Sequence, residues 1–136
     1  MASKSSIIGK PLPRPNAMPF IQGRGRYIDD IIVPGMLHVC FVRCPYAHAK
    51  ILSIDIDEAL AVTGVVKIVN GKELLPHCQP WTAKLTNMGP MLTMPQYAMP
   101  PEIACWQGEA VVAVVAETRA IAEDASELVD VDWEEL

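Results

Sequence analysis

Several things are scarce in this sequence, and each scarcity removes a class of function. Bases are outnumbered, eleven against sixteen acids for a formal charge of −5. A nucleic-acid partner would want a basic face, so none is expected. No apolar run approaches the ~18–20 residues needed to span a bilayer; the longest, Ala110 to Ala116, has seven. The first ten residues, MASKSSIIGK, lack the apolar core of a signal peptide. A soluble, cytoplasmic protein is therefore expected, with no membrane partner. Sequence signatures of chemistry are missing too. There is no Walker loop, no HExxH, no Gly-x-Ser-x-Gly elbow and no CxxC pair.

What is present is a chain of 136 residues, half of them apolar, long enough for one domain with a real core. Four cysteines (Cys40, Cys44, Cys78, Cys105) without an export signal read as reduced thiols. Cys40 and Cys44, with His38 and His48 nearby, invite a metal reading. On a strand they would lie about 13 Å apart at ~3.3 Å per residue. That is too far for both sulfurs to sit ~2.3 Å from one zinc ion. Small buried hydrophobes are the better account of them. Cys44 and His48, with Asp29 or Asp30, could also form a nucleophile pair, a reading that rests on proximity in sequence alone.

Residues 1–19 carry Pro11, Pro13, Pro15 and Pro19 and read as a proline-rich arm, with residues 20–136 as the domain proper. Gln22-Gly23-Arg24-Gly25-Arg26 hints at a phosphate-binding turn. A dinucleotide loop wants a third glycine and a following helix, and neither is predicted here. The arginines are expected on carboxylates such as Asp29 or Asp30. Val33-Pro34-Gly35-Met36 is a type II turn signal. Met36–Arg43 is apolar on both alternating faces apart from His38 and Arg43, which predicts a central strand. Ala49–Asp55 alternates cleanly as another. Asp57 can cap a short helix to about residue 62, closed by Gly64. A strand over residues 65–69 and a helical turn at Glu73–Leu75 follow.

Residues 76–101 break this regularity. They hold six of the twelve prolines and four of the seven methionines, with Trp81 and Tyr97 and a single charge, Lys84. So long an apolar loop is usually functional, and it is expected to pack against something outside this chain. Beyond it, Ile103–Trp106 and Ala110–Ala116 read as two strands around the Gln107-Gly108-Glu109 turn. Thr118 caps a helix to about residue 129, its inner face Ile121, Ala125, Leu128 and Val129. A last strand runs from Val129 to Trp133. Eight of the sixteen acids fall in residues 117–136, and their spacing fits a solvated helix face and strand edge better than a metal site. The fold class is α+β without a self-contained active site.

Two blocks, GRGRYIDDIIVPGMLHVCFVRCPYAHAKILSIDIDEA and GEAVVAVVAETRAIAEDASELVDVDWEEL, resemble the start of a family's large subunit. The family is that of xanthine dehydrogenase, aldehyde oxidase and carbon monoxide dehydrogenase. The order of the GRGRY-x-DD turn, the PGM-L strand and the AHAK-I strand carries the likeness. Cys44 and Tyr46 stand where the family often has serine and histidine.

The resemblance implies an α/β-hammerhead domain with a mixed sheet and two short-to-medium helices, about 57–62 and 118–129. It implies an N-terminal domain, fragment or split subunit of a molybdenum hydroxylase oxidising a small heteroaromatic, aldehyde or related substrate. In such enzymes water supplies the oxygen. Molybdopterin–molybdenum, iron–sulfur clusters and FAD belong to the complete enzyme, on further domains and subunits that would be this chain's partners. No position matches the family's catalytic or cofactor-binding motifs, so no catalytic, cofactor or metal residue is assigned. Trp81, Met91, Met94 and Tyr97 are the candidates for a substrate-entry surface. The alternative is a non-catalytic assembly module using the same face.

Overall fold

The computed structural model describes residues 7–83, 89 and 92–136. They fall into two units, Met1–Gly35 and Met36–Leu136, taken separately below.

In the first unit a short helix, α1 (Ala17–Ile21), precedes a single 3-10 turn at Ile28–Asp30. The Phe20 and Tyr27 rings lie 5.6 Å apart, and the Arg14 guanidinium sits 5.2 Å over Phe20. Gly25 faces that ring so closely that an added Cβ would come within 2.5 Å of it. The second glycine of the GRGR turn is thus explained by a ring rather than by a phosphate. Arg24 donates to the Gln22 side chain, while the Asp30 carboxylate accepts from the Tyr27 N–H at 2.9 Å. A carboxylate three residues ahead can satisfy a free N–H at the start of a helical turn.

The second unit is built from six strands, β1 (His38–Arg43), β2 (Ala49–Asp55), β3 (Val65–Asn70), β4 (Ile103–Ala104), β5 (Ala110–Ala116) and β6 (Asp130–Glu135). Three helices, α2 (Asp57–Leu60), α3 (Gly71–Leu74) and α4 (Arg119–Glu127), lie between them. The expected mixed sheet is instead two antiparallel three-stranded sheets, ordered β1-β5-β3 and β4-β2-β6. The α+β class stands.

β5 is the axis of the first sheet because its sequence, AVVAVVA, can be buried on both faces. Val111, Val112, Val114 and Ala116 are fully buried. β1, predicted as central, is an edge strand paired only with β5. Its inner residues His38, Cys40 and Val42 alternate with exposed Val39, Phe41 and Arg43. Apolarity on both faces is misleading here, since an open sheet face can carry valine and phenylalanine. Arg43 covers part of it, its guanidinium 5.6 Å from the Phe41 ring and donating to the Gly108 carbonyl at 2.8 Å.

α4 packs on β1 and β5. Thr118 caps it as expected, its hydroxyl accepting from the Ile121 N–H at 3.2 Å. Ala122 and Ala125 are its buried residues, while Leu128 stays exposed. The small side chains let the helix approach the sheet, and Leu128, predicted on the inner face, is the C-cap residue just past the helix. Ile121 lies over Gly64, where an added Cβ would come within 2.7 Å of it. α2 is capped differently from expectation. Ile56 holds the cap position, and the Asp55 carboxylate accepts from the Asp57 N–H at 3.0 Å.

One core cluster joins the two sheets. Ala49, Ile51 and Ala104 from the second sheet meet Ile68 and the β5 valines, with Ala59 and Ala125 from the helices. Ile103–Trp106 and Ala110–Ala116 do not pair as a hairpin. β4 pairs with β2 and β5 with β1 and β3, so the 105–109 turn carries the chain from one sheet to the other. On the opposite side, Gly71 is pressed against the backbone of Met99 and Pro100. An added Cβ would overlap the Pro100 carbonyl and come 2.7 Å from that of Met99. Gly71→Ala should therefore lower stability by at least about 1–3 kcal/mol, the usual cost of overpacking. Thr118→Ala should cost only about 1 kcal/mol. Urea unfolding of both variants checks the order; a neutral Gly71→Ala would contradict the packing.

Candidate functional site

The site grows from the turn that joins the sheets. The Cys44 N–H donates to the Glu109 carbonyl at 2.9 Å and the Gly108 N–H to the Cys44 carbonyl at 2.8 Å, fastening the turn to the end of β1. Gly108 turns the chain at φ 88°, a conformation that glycine adopts without strain. The Glu109 side chain folds back across the turn, accepting from the Cys105 N–H at 2.6 Å and from the Trp106 N–H. It is only 5% exposed, and among the described residues it is the one charged residue in the buried core.

Burial raises the Glu109 carboxyl above the ordinary carboxylate range, and the two N–H bonds offset this only in part. The neighbouring Cys105 thiol is also raised, by burial first and by the Glu109 charge second. A thiol shifted in that direction is a poor nucleophile at neutral pH.

A cleft of about 470 Å³ opens beside this turn. One wall is the irregular loop, with Met94, Pro95, Tyr97 and Pro101; the other is Ile103 and Trp106. His48, Gln96, Glu102, Cys105 and Glu109 bring polar groups to it. The loop is held at its base by two backbone bonds of 2.7 Å between Trp81 and Gln96. Among the substrate-entry candidates, Met94 and Tyr97 line the cleft. Trp81 flanks the loop at the Gln96 bridge and is 62% exposed. Met91 lies outside the described residues.

The other sequence candidates are placed elsewhere. Cys44 is buried in the core, its thiol directed to the Tyr46 carbonyl at 3.4 Å, whereas His48 is exposed on the cleft rim. The nucleophile pair suggested by proximity in sequence therefore has one member in the core and the other on the surface. Cys40 donates to the Ser126 hydroxyl at 3.2 Å, on the side of β1 that faces α4. Tyr46 packs edge-on against Trp133, ring centroids 6.2 Å apart. Cys44 and Tyr46, the two departures from the family pattern, are therefore packing residues here.

Glu109 and Trp106 escape sequence reasoning as site residues. Their signal is that Glu109 is the only acid between Ile103 and Ala116, next to a buried strand. A lone carboxylate in such a run must be satisfied by the backbone or by a ligand.

Two antiparallel sheets sharing one core, with a loop-walled cleft, define an α+β module. Residues 22–136 match the family described as "Aldehyde oxidase and xanthine dehydrogenase, a/b hammerhead domain", and the chain belongs to that family. It is 42% identical over 132 residues to the nicotine 6-hydroxylase large subunit of Paenarthrobacter nicotinovorans, covering 96% of this chain and 16% of that one. It is 38% identical to the carbon monoxide dehydrogenase large chain of Afipia carboxidovorans, covering 99% and 16%. The crystal structure of quinoline 2-oxidoreductase from Pseudomonas putida superposes with a TM-score of 0.84 at 40% identity, over 92% of this chain and 16% of that one. The chain thus spans about one sixth of the length of these three relatives. No helix among the described residues is long and apolar enough to cross a membrane.

The family's enzymes carry molybdenum. The cleft does not fit its pterin cofactor, which bears a phosphate. Glu102 and Glu109 line it and no Lys or Arg does, so an anion would be repelled. Among the described residues no three His, Cys, Asp or Glu side chains converge on a metal position.

Because the folded-state carboxyl of Glu109 is raised, its contribution to stability is complete below the ordinary glutamate value of about 4.3. That contribution is lost as pH rises through the raised value. Thermal melts of the full chain between pH 4 and 8 should show a fall that Glu109→Gln reduces; parallel curves would contradict this assignment.

Proposed function

We propose that this chain is the hammerhead domain of the large subunit of a molybdenum-dependent hydroxylase or dehydrogenase. Its substrate is a small heteroaromatic, aldehyde or related molecule, and the residue 76–101 loop helps wall the substrate's entry. The observation that carries the wall is the apolar cleft with Met94 and Tyr97 on its loop side. Support for a heteroaromatic comes from the names of two relatives, which act on nicotine and quinoline.

In this reading the chain supplies no reacting group. The molybdenum centre, held by the remainder of the large subunit, supplies the hydroxylation chemistry. Iron–sulfur and flavin domains or subunits are the expected electron-carrying partners. The residues of this chain shape the approach. Tyr97, Ile103 and Trp106 offer flat apolar surface that displaces water, and the short bridge at Trp81 and Gln96 keeps the loop from collapsing. A role in assembly through the same loop face is the second reading, favoured by the exposed Trp81 and Met94 there.

Replacing residues 76–101 with a short Gly-Ser linker in the assembled enzyme separates the two readings. The wall predicts a severalfold change in KM with kcat per assembled enzyme retained. Unchanged kinetics with weaker subunit association would favour assembly instead.

A further inference from the structure

We propose that the cleft beside Glu109 binds a flat aromatic cation, a protonated or N-alkylated nitrogen heterocycle, with Glu109 as counter-charge and Tyr97 and Trp106 as walls. This rests on the reading that the loop lines the substrate's path, and it names the class of molecule the path selects.

Charge carries the inference first. Glu109 is more than nine-tenths buried, yet its partners are two backbone N–H groups. A buried carboxylate held only by neutral donors remains poorly compensated, and a cation is the partner it lacks. No Lys or Arg lines the cleft, and the other titratable groups there are His48, Tyr97, Glu102 and Cys105. Glu102 adds to the negative potential, and the raised thiol of Cys105 adds no charge at neutral pH.

Shape carries it second. A volume of about 470 Å³ falls within the ~300–1,000 Å³ of small-molecule sites. The apolar lining is dominated by rings and pyrrolidines: Tyr97, Trp106, Pro95, Pro100 and Pro101. Such surfaces favour planar ligands, and the faces of Trp and Tyr attract cations in particular. The backbone positions are fixed. The Glu109 turn is fastened to β1, and Pro100 is pressed against Gly71. A pre-formed site loses little entropy on binding. Carbon monoxide or a small neutral aldehyde would use neither the charge nor the rings.

The test uses the full 136-residue chain and three probes: N-methylquinolinium, neutral 2-naphthol of similar size, and tetramethylammonium, a cation without a ring. Binding is followed by calorimetry and by tryptophan fluorescence. N-methylquinolinium should bind saturably at one site, about tenfold or more tighter than either comparator. Glu109→Gln should lose about tenfold for N-methylquinolinium and little for 2-naphthol, while Trp106→Ala should weaken both ring compounds. Should Glu109→Gln fail to fold, the wild-type chain serves, since affinity for the permanent cation must fall on acidification as the carboxyl protonates. Equal affinity for 2-naphthol, no saturable binding, or binding indifferent to acidification overturns the proposal. Absence of binding alongside a KM change on loop replacement would sink this site and leave the wall standing. Binding with an unchanged KM would do the reverse.

Discussion

The structure depends on one strand being paired on both edges and buried on both faces. β5 has no polar side chain, so its backbone N–H and C=O groups must find partners in strands rather than in water. β1 and β3 supply those partners. Burying Val111, Val112 and Val114 is worth on the order of 1.5–3 kcal/mol each. α4 then covers one face with alanines. Everything that forms the cleft hangs on the entry to this strand. The 105–109 turn is placed by its bonds to Cys44, the end of β1, and it delivers the chain from the second sheet to the first.

That entry explains why a carboxylate is buried there. A turn crossing between sheets leaves backbone N–H groups without ladder partners, and the Glu109 side chain accepts two of them. Caps of this kind usually sit at the surface. This one is roofed by a proline-rich loop and becomes part of a cleft wall. The same interaction therefore serves the fold, by closing the turn, and sets a charge beside the cleft. A domain one sixth the length of its relatives can contribute shape and charge to an enzyme without contributing a reacting atom.

How much of this is legible in the sequence follows from which signals are local. β2 alternates, and its bounds of Ala49–Asp55 follow from that alternation. β5 and the Thr118 cap are legible as well. An all-apolar heptad fits little besides a buried strand, and a threonine ahead of a 3.6-residue period fits little besides a helix start. β1 misleads because apolarity reports compatibility with burial, not burial itself. The expected hairpin at 103–116 fails for a related reason. Adjacent strands with a glycine turn usually pair, and only the long-range pairing of β4 with β2 shows that these do not. Cys44 and His48 look like chemistry because they are close in sequence, whereas one lies in the core and the other on the cleft rim. Glu109 reads as an ordinary turn residue, since its burial depends on a loop whose course no periodicity encodes. The family likeness rests on turn and strand blocks outside that loop, which is why the fold is clearer in the sequence than the site.

The central claim is that this domain shapes the approach of the substrate and takes no part in its chemistry. A module exchange tests it most directly. Residues 22–136 would replace the matching segment of the nicotine 6-hydroxylase large subunit, and steady-state kinetics would be measured on nicotine with the purified, assembled chimera. The account predicts a changed KM with kcat per molybdenum preserved. An assembled chimera that loses kcat at unchanged KM, or keeps both constants unaltered, would contradict it.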